Sequence, residues 1–100
     1  MKLILTLQDK LQNAATKMQI SRLVNSKLAK YSDNIRKITI SVKDIPQDKQ
    51  SAMKQCSIEL LLPGLPSMQI KAKGKDLIQA TKRALQYSQQ QLAHKYQLGH

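Results

Sequence analysis

The hydrophobic and polar positions alternate along four short stretches of the chain. Alternation with a period of two is typical of a strand that buries one face and exposes the other. It predicts strands over residues 2–8, 35–43, 55–62 and 67–75. The positions expected to face inward are Leu3, Leu5, Leu7, Ile38, Ile40, Val42, Cys56, Ile58, Leu60, Leu62, Met68, Ile70 and Ala72.

A stripe of apolar residues at helical spacing predicts a first helix between the first two strands. Thr16 and Gln19 have the spacing of a capping box, so the regular helix is expected to begin near Lys17 and to end at about residue 33. The stripe consists of Ile20, Leu23, Val24, Leu28 and Tyr31.

A second helix is predicted directly after the fourth strand. Asp76 is a good N-cap, and Gln79 stands at the third helical position. The outward positions are rich in glutamine, which we interpret as solvated helix surface. The positions expected to be buried are Leu77, Thr81, Ala84, Leu85, Ser88 and Leu92.

The order of these elements, β-α-β-β-β-α, predicts an α+β fold in one domain over residues 1–100. The first helix is long enough to make the first two strands parallel neighbours, whereas a loop over residues 44–53 and a turn at Gly64 favour antiparallel pairing of the others. Both helices must cover the one apolar face of the sheet. We therefore expect a two-layer sandwich of a four-stranded mixed sheet with two helices on one face.

The charge balance of the chain favours a binding protein over a domain without a specific partner. Seventeen Lys and Arg against six Asp and Glu give a net charge of +11 at pH 7. So large a charge raises self-repulsion and usually reflects a polyanionic partner. A soluble basic domain without a specific partner is the plainer alternative.

The chain offers few groups for catalysis or for a cofactor. Glu59 is the one glutamate, and the sequence has no glycine-rich phosphate loop, no CxxC and no His pair at metal spacing. We predict no enzyme activity, no cofactor and no small-molecule substrate. The lone Cys56 is expected to be a buried, inert thiol, which favours a reducing compartment. No stretch is apolar enough to span a membrane, so we expect a cytoplasmic protein.

The lysines are not scattered evenly over the predicted elements. One set would lie on the outward face of the sheet, with Glu59 as the only acid, and a second set on the helices. Lysine on an edge strand also blocks strand addition, which accounts for part of the pattern. No aromatic residue lies on a predicted strand, so a stacking platform for single-stranded bases is not expected and structured RNA fits better. The sheet set is Lys2, Lys37, Lys43, Lys71, Lys73 and Lys75; the helix set is Lys17, Arg22, Lys27, Lys30, Lys82 and Arg83.

Two stretches, VNSKLAKYSDNIRKITISVK (residues 24–43) and IKAKGKDLIQATKRALQYSQQQLAHKY (residues 70–96), resemble the ribosome hibernation-promoting factor family, also known as protein Y. Asp76 and Ala80 fall where that family has an acidic N-cap and an alanine-rich first turn. The resemblance implies the β-α-β-β-β-α sandwich and a factor that silences idle ribosomes by binding the small subunit in the channel used by messenger and transfer RNA. Lys27 and Lys30 match two positions of helix one that contact ribosomal RNA in the family.

Helix two and the fourth strand depart from the family pattern. The family usually has an Arg-Gln-Leu run and then closely spaced lysines, whereas this chain has Gln90, Gln91 and Leu92 followed by His94 and Lys95. The fourth strand carries lysines where the family tends to carry acids, which favours an RNA surface shifted towards that strand. No extension follows residue 100, so the ribosome pairing of long family members is not expected.

These observations predict a divergent short-form factor that binds the small ribosomal subunit and is a monomer when free. Two other functions stay open: a generic structured-RNA-binding domain, and a protein-interaction module that uses the glutamine-rich second helix. The predicted RNA-binding residues are Arg22, Lys27, Lys30, Lys37, Lys71, Lys73, Lys75, Lys82, Arg83 and Lys95.

Overall fold

The chain folds as the predicted β-α-β-β-β-α sandwich in a computed structural model that describes residues 1–7, 14–46 and 52–96. A 3-10 helix, which the sequence did not predict, follows the first α-helix. The elements are β1 (Lys2–Leu7), α1 (Ala14–Lys27), the 3-10 helix (Ala29–Asn34), β2 (Lys37–Pro46), β3 (Ala52–Leu61), β4 (Met68–Gly74) and α2 (Leu77–Lys95).

The four strands form one mixed sheet in the order β1-β2-β3-β4. The strand β1 pairs with β2 in parallel, and the other two pairings are antiparallel, as predicted. The register places Leu5, Ile40, Ile58 and Ile70 in one row across the sheet. Because side chains alternate between the faces, this row fixes the apolar face, and the opposite face is called the open face below.

Both helices lie on the apolar face, and α2 packs over β3 and β4 and against α1. From α1, Ile20 and Val24 are fully buried in the same cluster as the inward strand residues. The helix α2 approaches the sheet closely because small residues, Ala80 and Ala84, lie on its buried stripe. All six positions of α2 that the sequence predicted as buried are buried.

Among the described residues, Thr81 and Ser88 of α2 place aliphatic hydroxyl groups inside this core, and both groups have a hydrogen-bond partner. Thr81 Oγ1 donates to the carbonyl oxygen of Leu77 at 2.8 Å, and Ser88 Oγ donates to that of Ala84 at 2.8 Å. A buried hydroxyl without a partner would cost on the order of 1–3 kcal/mol, and bonding to the preceding turn avoids that cost.

The predicted bounds of the first helix are wrong at both ends. The helix α1 includes Ala14 and Ala15, and Thr16 is its third residue rather than its cap. Alanine is the strongest helix former, so an exposed first turn forms without belonging to the apolar stripe. At the other end the α-helix stops at Lys27, and a 3-10 turn, closed by the Tyr31 N–H donating to the Leu28 carbonyl oxygen at 3.0 Å, buries Tyr31.

The loop predicted over residues 44–53 is wrong at its flanks, because β2 and β3 extend into it. Asp44 pairs across the hairpin with Lys54, and Ile45 pairs with Met53. The Asp44 and Lys54 side chains form an ion pair on the inward face of the sheet. Both residues lie just beyond the alternating apolar positions from which the strands were predicted. The rest of the predicted loop, residues 47–51, lies outside the described residues.

The junction between β4 and α2 is tightly defined. The strand ends at Gly74, where an added Cβ would lie only 2.5 Å from the backbone nitrogen of Ala80. Asp76 is the N-cap, as predicted: its Oδ1 accepts from the Gln79 N–H at 2.8 Å, and Gln79 Oε1 accepts from the Lys75 N–H at 2.7 Å. Lys75 therefore lies in this turn, not on the open face of a strand as predicted.

The predicted turn at Gly64 is confirmed, with a positive φ of 77°. Glycine adopts this left-handed backbone without the steric cost that other residues carry. None of the described helices has the length and apolar character needed to cross a membrane.

Candidate nucleic-acid interface

The lysines of the open face fall into two groups at opposite ends of the sheet. At one end Lys2 lies opposite Lys37, and the exposed Arg36 is adjacent, because its carbonyl oxygen accepts from the Lys2 N–H at 3.1 Å. At the other end Lys43 and Lys73 flank Gln55 in one row, and Lys71 lies in the next row, two residues from Lys73 on β4. Lys37 and Lys43 are six residues apart on β2, so the two groups are separated by roughly 20 Å at 3.3 Å per residue. The lysines predicted on the outward face of the sheet therefore form two basic patches.

The middle of the open face is polar and nearly neutral. Thr39 lies opposite Glu59, and Glu59 lies opposite Gln69. The Gln69 Nε2 donates to Glu59 Oε2 at 3.5 Å, so the one acid among the described residues of this face contacts an amide. A shallow groove of about 240 Å³ runs here, lined by Thr39, Ser41, Ser57, Ile58, Glu59, Gln69, Ile70 and Lys71.

A second basic cluster lies where α1 and α2 end. Lys30 Nζ lies 5.9 Å from the centroid of the Tyr31 ring, and that ring is 6.3 Å from the ring of Tyr96, the residue after Lys95. The Gln89 side chain donates to the Lys27 carbonyl oxygen at 2.7 Å, which ties the end of α1 to α2. Lys27, Lys30 and Lys95 are exposed and are called the helix-end cluster below.

The positions of two lysines of the helix-end cluster are explained by helix stability alone. A positive charge near a helix C-terminus stabilises the helix by typically 0.3–1 kcal/mol, and both Lys27 and Lys95 stand in the last turn of a helix. Lys30 is different, because it lies on the 3-10 helix and not on helix one as the family comparison placed it. Arg22 and Lys82 are exposed on the outer sides of α1 and α2.

The third basic site lies at the free edge of β4, and it joins residues of the sheet and of α2. Within the described residues, β3 is the one strand that pairs with β4. Arg83 Nη1 donates to the Lys73 carbonyl oxygen at 3.0 Å, across this edge. A shallow groove, called the edge notch below, is lined by Gln55, Lys71, Ala72, Lys73, Arg83 and Tyr87.

The edge notch contains a residue that the sequence analysis did not select. Tyr87 is 46 % exposed, a large fraction for an aromatic side chain. It follows Arg83 by one helical turn, so both project from the same side of α2. This spacing is visible in the sequence, but the position of β4 beside that side of the helix is not.

The interpretation of the α2 glutamines as solvated helix surface is only partly confirmed. Gln86 and Gln90 are exposed, but Gln79 and Gln89 are half-buried and make the hydrogen bonds that cap α2 and join it to α1. These two amides therefore hold the helices in place.

Cys56 is a buried, free thiol, as predicted. Burial raises its pKa to about 11, and a hydrogen bond with the Thr81 side chain offsets this only in part. A thiol with so high a pKa is almost fully protonated at neutral pH and is a poor nucleophile. Across residues 1–7, 14–46 and 52–96, no group of three His, Cys, Asp or Glu side chains could hold a metal ion.

The fold, but not the sequence, has clear counterparts among known proteins. No protein-family model matches the chain, and no curated protein matches its sequence. A ribosomal subunit interface protein from Coxiella burnetii superposes with a TM-score of 0.71 at 22% identity, covering 99% of this chain and 100% of the other. The N-terminal domain of protein Y from Thermus thermophilus superposes with a TM-score of 0.73 at 18% identity, covering 94% of this chain and 98% of the other. The chain thus has the fold of these two proteins over almost its whole length.

Proposed function

We propose that this protein is a non-enzymatic ribosome-associated factor that silences translation by binding ribosomal RNA of the small subunit. The observation that carries the proposal is the agreement in fold over 99% of the chain with a protein named for the ribosomal subunit interface. The net charge of +11 supports it independently, because ribosomal RNA is a polyanion. In this proposal residues 1–100 act as one cytoplasmic domain that is a monomer off the ribosome.

The exposed cations support backbone recognition rather than base readout. Lysine contacts phosphate as a flexible point charge, and each contact adds a salt-dependent share that carries no sequence information. The helix-end cluster is the main candidate for the RNA contact, because its three lysines stand at helix ends that the Gln89 hydrogen bond and the Tyr31–Tyr96 contact join. The edge notch and the lysines at that end of the open face are a second candidate.

Co-sedimentation with small ribosomal subunits tests the proposal. We expect the protein to pellet with the subunits at low salt and to be released as salt rises, with a loss of roughly a thousandfold in affinity between 50 and 200 mM if about six phosphates are contacted. Protein that stays in the supernatant at low salt would refute the ribosome association.

Two variants of equal net charge locate the contact. Lys27→Glu/Lys30→Glu reverses two residues of the helix-end cluster, and Lys2→Glu/Lys17→Glu reverses two exposed lysines elsewhere, on β1 and α1. We expect the first variant to lose subunit binding and the second to keep most of it. Equal losses would show that only the overall charge matters.

The two open alternatives give different results in the same assays. A generic structured-RNA-binding domain would bind free duplex RNA as tightly as the small subunit. An interaction module that uses the exposed glutamines of α2 would bind its partner with little response to salt.

A further inference from the structure

The edge notch combines cations, an exposed aromatic ring and free backbone groups at one strand edge. We propose that it binds an unpaired nucleotide of single-stranded RNA, with the base stacked on Tyr87 and the adjoining phosphates held by Lys71 and Lys73. This inference rests on the proposed RNA-binding function and adds the class of ligand and the residues that contact it. It departs from the expectation that no stacking platform exists, because that expectation concerned aromatic residues on strands, and Tyr87 lies on α2.

The helix α2 and the strand β4 place the cations and the tyrosine ring of the edge notch side by side. The helix α2 follows β4 through a short turn and runs back along it. Arg83 and Tyr87 are four residues apart on α2, about 6 Å at 1.5 Å per residue, and Lys73 and Lys71 are two residues apart on β4, about 6.6 Å. Because Arg83 contacts Lys73, Tyr87 lies beside Lys71, and both pairs line the same groove.

The hydrogen bond from Arg83 also shows where the backbone of β4 points. It is made to the Lys73 carbonyl oxygen, so that group faces the free edge and not β3. The N–H and C=O of one residue in an antiparallel strand point to the same side, and alternate residues repeat that direction. The backbone N–H and C=O of Lys71 therefore also face the edge, next to Tyr87. A base stacked on Tyr87 would find one donor and one acceptor there.

The notch is continuous with the open face through Lys71. That lysine lines both the edge notch and the groove that contains the hydroxyls of Thr39, Ser41 and Ser57. These hydroxyls can bond ribose and phosphate oxygens, so a short strand has a path from the stacked base onto the sheet. An acidic peptide could bind the lysines, but the exposed ring would not contribute to its binding. For this reason we favour RNA.

The test is the binding of a short fluorescent single-stranded RNA to the full chain, measured by anisotropy at low salt. Tyr87→Ala is expected to weaken binding roughly 5- to 150-fold, the range found when a stacked base loses its aromatic partner, and Tyr87→Phe is expected to retain it. The neighbouring exposed residue gives a matched control, Gln86→Ala, which should bind as the wild type does. Circular dichroism of each variant shows whether the fold is intact.

An abasic strand with the same phosphates separates stacking from charge. It should bind the wild type and Tyr87→Ala equally well, whereas Lys71→Gln/Lys73→Gln should weaken the binding of both strands. The proposal is overturned if Tyr87→Ala binds the base-containing RNA within about twofold of wild type, where a lost stack predicts at least fivefold. It is also overturned if polyglutamate of equal charge competes as well as RNA.

Failure of this proposal can be told apart from failure of the ribosome proposal. If Tyr87→Ala binds short RNA unchanged while the wild type pellets with small subunits, the notch is refuted and the ribosome association stands. If binding of short RNA depends on Tyr87 but the wild type does not pellet with small subunits, the ribosome association is refuted and the notch proposal stands.

Discussion

Replacing Gly74 by alanine tests the closest approach in the structure, where β4 meets α2. The added Cβ would lie 2.5 Å from Ala80 N, 2.9 Å from Ala80 Cα and 3.0 Å from the carbonyl carbon of Gln79. Carbon atoms are in favourable contact at about 3.5–4.0 Å, so the helix and the strand would have to separate by about 1 Å. All three atoms belong to the backbone, so no side-chain rotation can relieve the contact.

Overpacking of this kind typically costs about 1–3 kcal/mol, and the rigid backbone on both sides places Gly74→Ala near the upper value. The lower entropy of the unfolded alanine chain offsets about 0.4–1 kcal/mol, which leaves a net destabilisation of about 2 kcal/mol. At 4–8 °C per kcal/mol for a domain of this size, the melting temperature should fall by roughly 10–15 °C.

Urea unfolding followed by circular dichroism measures this loss, and the m-value should stay unchanged. Gly64→Ala is the matched control, because its Cβ would meet nothing within 4 Å and only its φ of +77° opposes the change. The strain of a left-handed alanine predicts a loss of about 1–2 kcal/mol there. If Gly74→Ala unfolds within about 0.5 kcal/mol of wild type, as an ordinary surface substitution does, the close packing of α2 on β4 is wrong.

Three further predictions concern stability. Because the pKa of the Cys56 thiol is raised from 9.0 to about 11 in the folded state, the stability it contributes is complete below pH 9 and is lost as pH rises through 11. Urea unfolding from pH 8 to 11 should show wild type losing about 2 kcal/mol relative to Cys56→Ala, and parallel curves would contradict this. Asp76→Ala should cost about 1 kcal/mol by removing the cap of α2, and Asp76→Ser should recover most of it in the same assay. A double-mutant cycle of Asp44→Ala and Lys54→Ala should give a coupling of up to about 1 kcal/mol that shrinks in 1 M salt; no coupling would argue against their ion pair.

The alternating pattern was enough to predict the sheet, because each of its faces meets a different environment. Ile40 and Ile58 were assigned to the buried face, and both lie there, fully covered. The cap at Asp76 was also predictable, since it depends on residues three positions apart. Local signals of this kind involve neighbours in sequence and need no knowledge of the fold.

Apart from the start of α1, the errors occurred where a contact between residues far apart in sequence overrides the local pattern. Asp44 and Lys54 look like loop residues, but each neutralises the other across the hairpin, and the strands continue through them. In the same way, Arg83 was predicted to bind RNA, but its pairing with Tyr87 in one groove is visible only when β4 is placed beside α2. The division of the basic residues into two patches on the sheet, one helix-end cluster and one edge notch could therefore not be predicted from the sequence.

The bond from Arg83 to the Lys73 carbonyl oxygen has a consequence for self-association. An exposed strand edge is a template for adding a strand from another molecule, and lysines or a blocked carbonyl oppose this. Besides any role in RNA binding, the edge of β4 is therefore protected against the addition of a foreign strand by Arg83, Lys71 and Lys73. Removing all three charges as Arg83→Ala/Lys71→Ala/Lys73→Ala should make the protein aggregate, whereas reversing the lysines to glutamate should keep it dispersed, as static light scattering can measure. The surface that attracts a polyanion is also what keeps two copies of this chain apart.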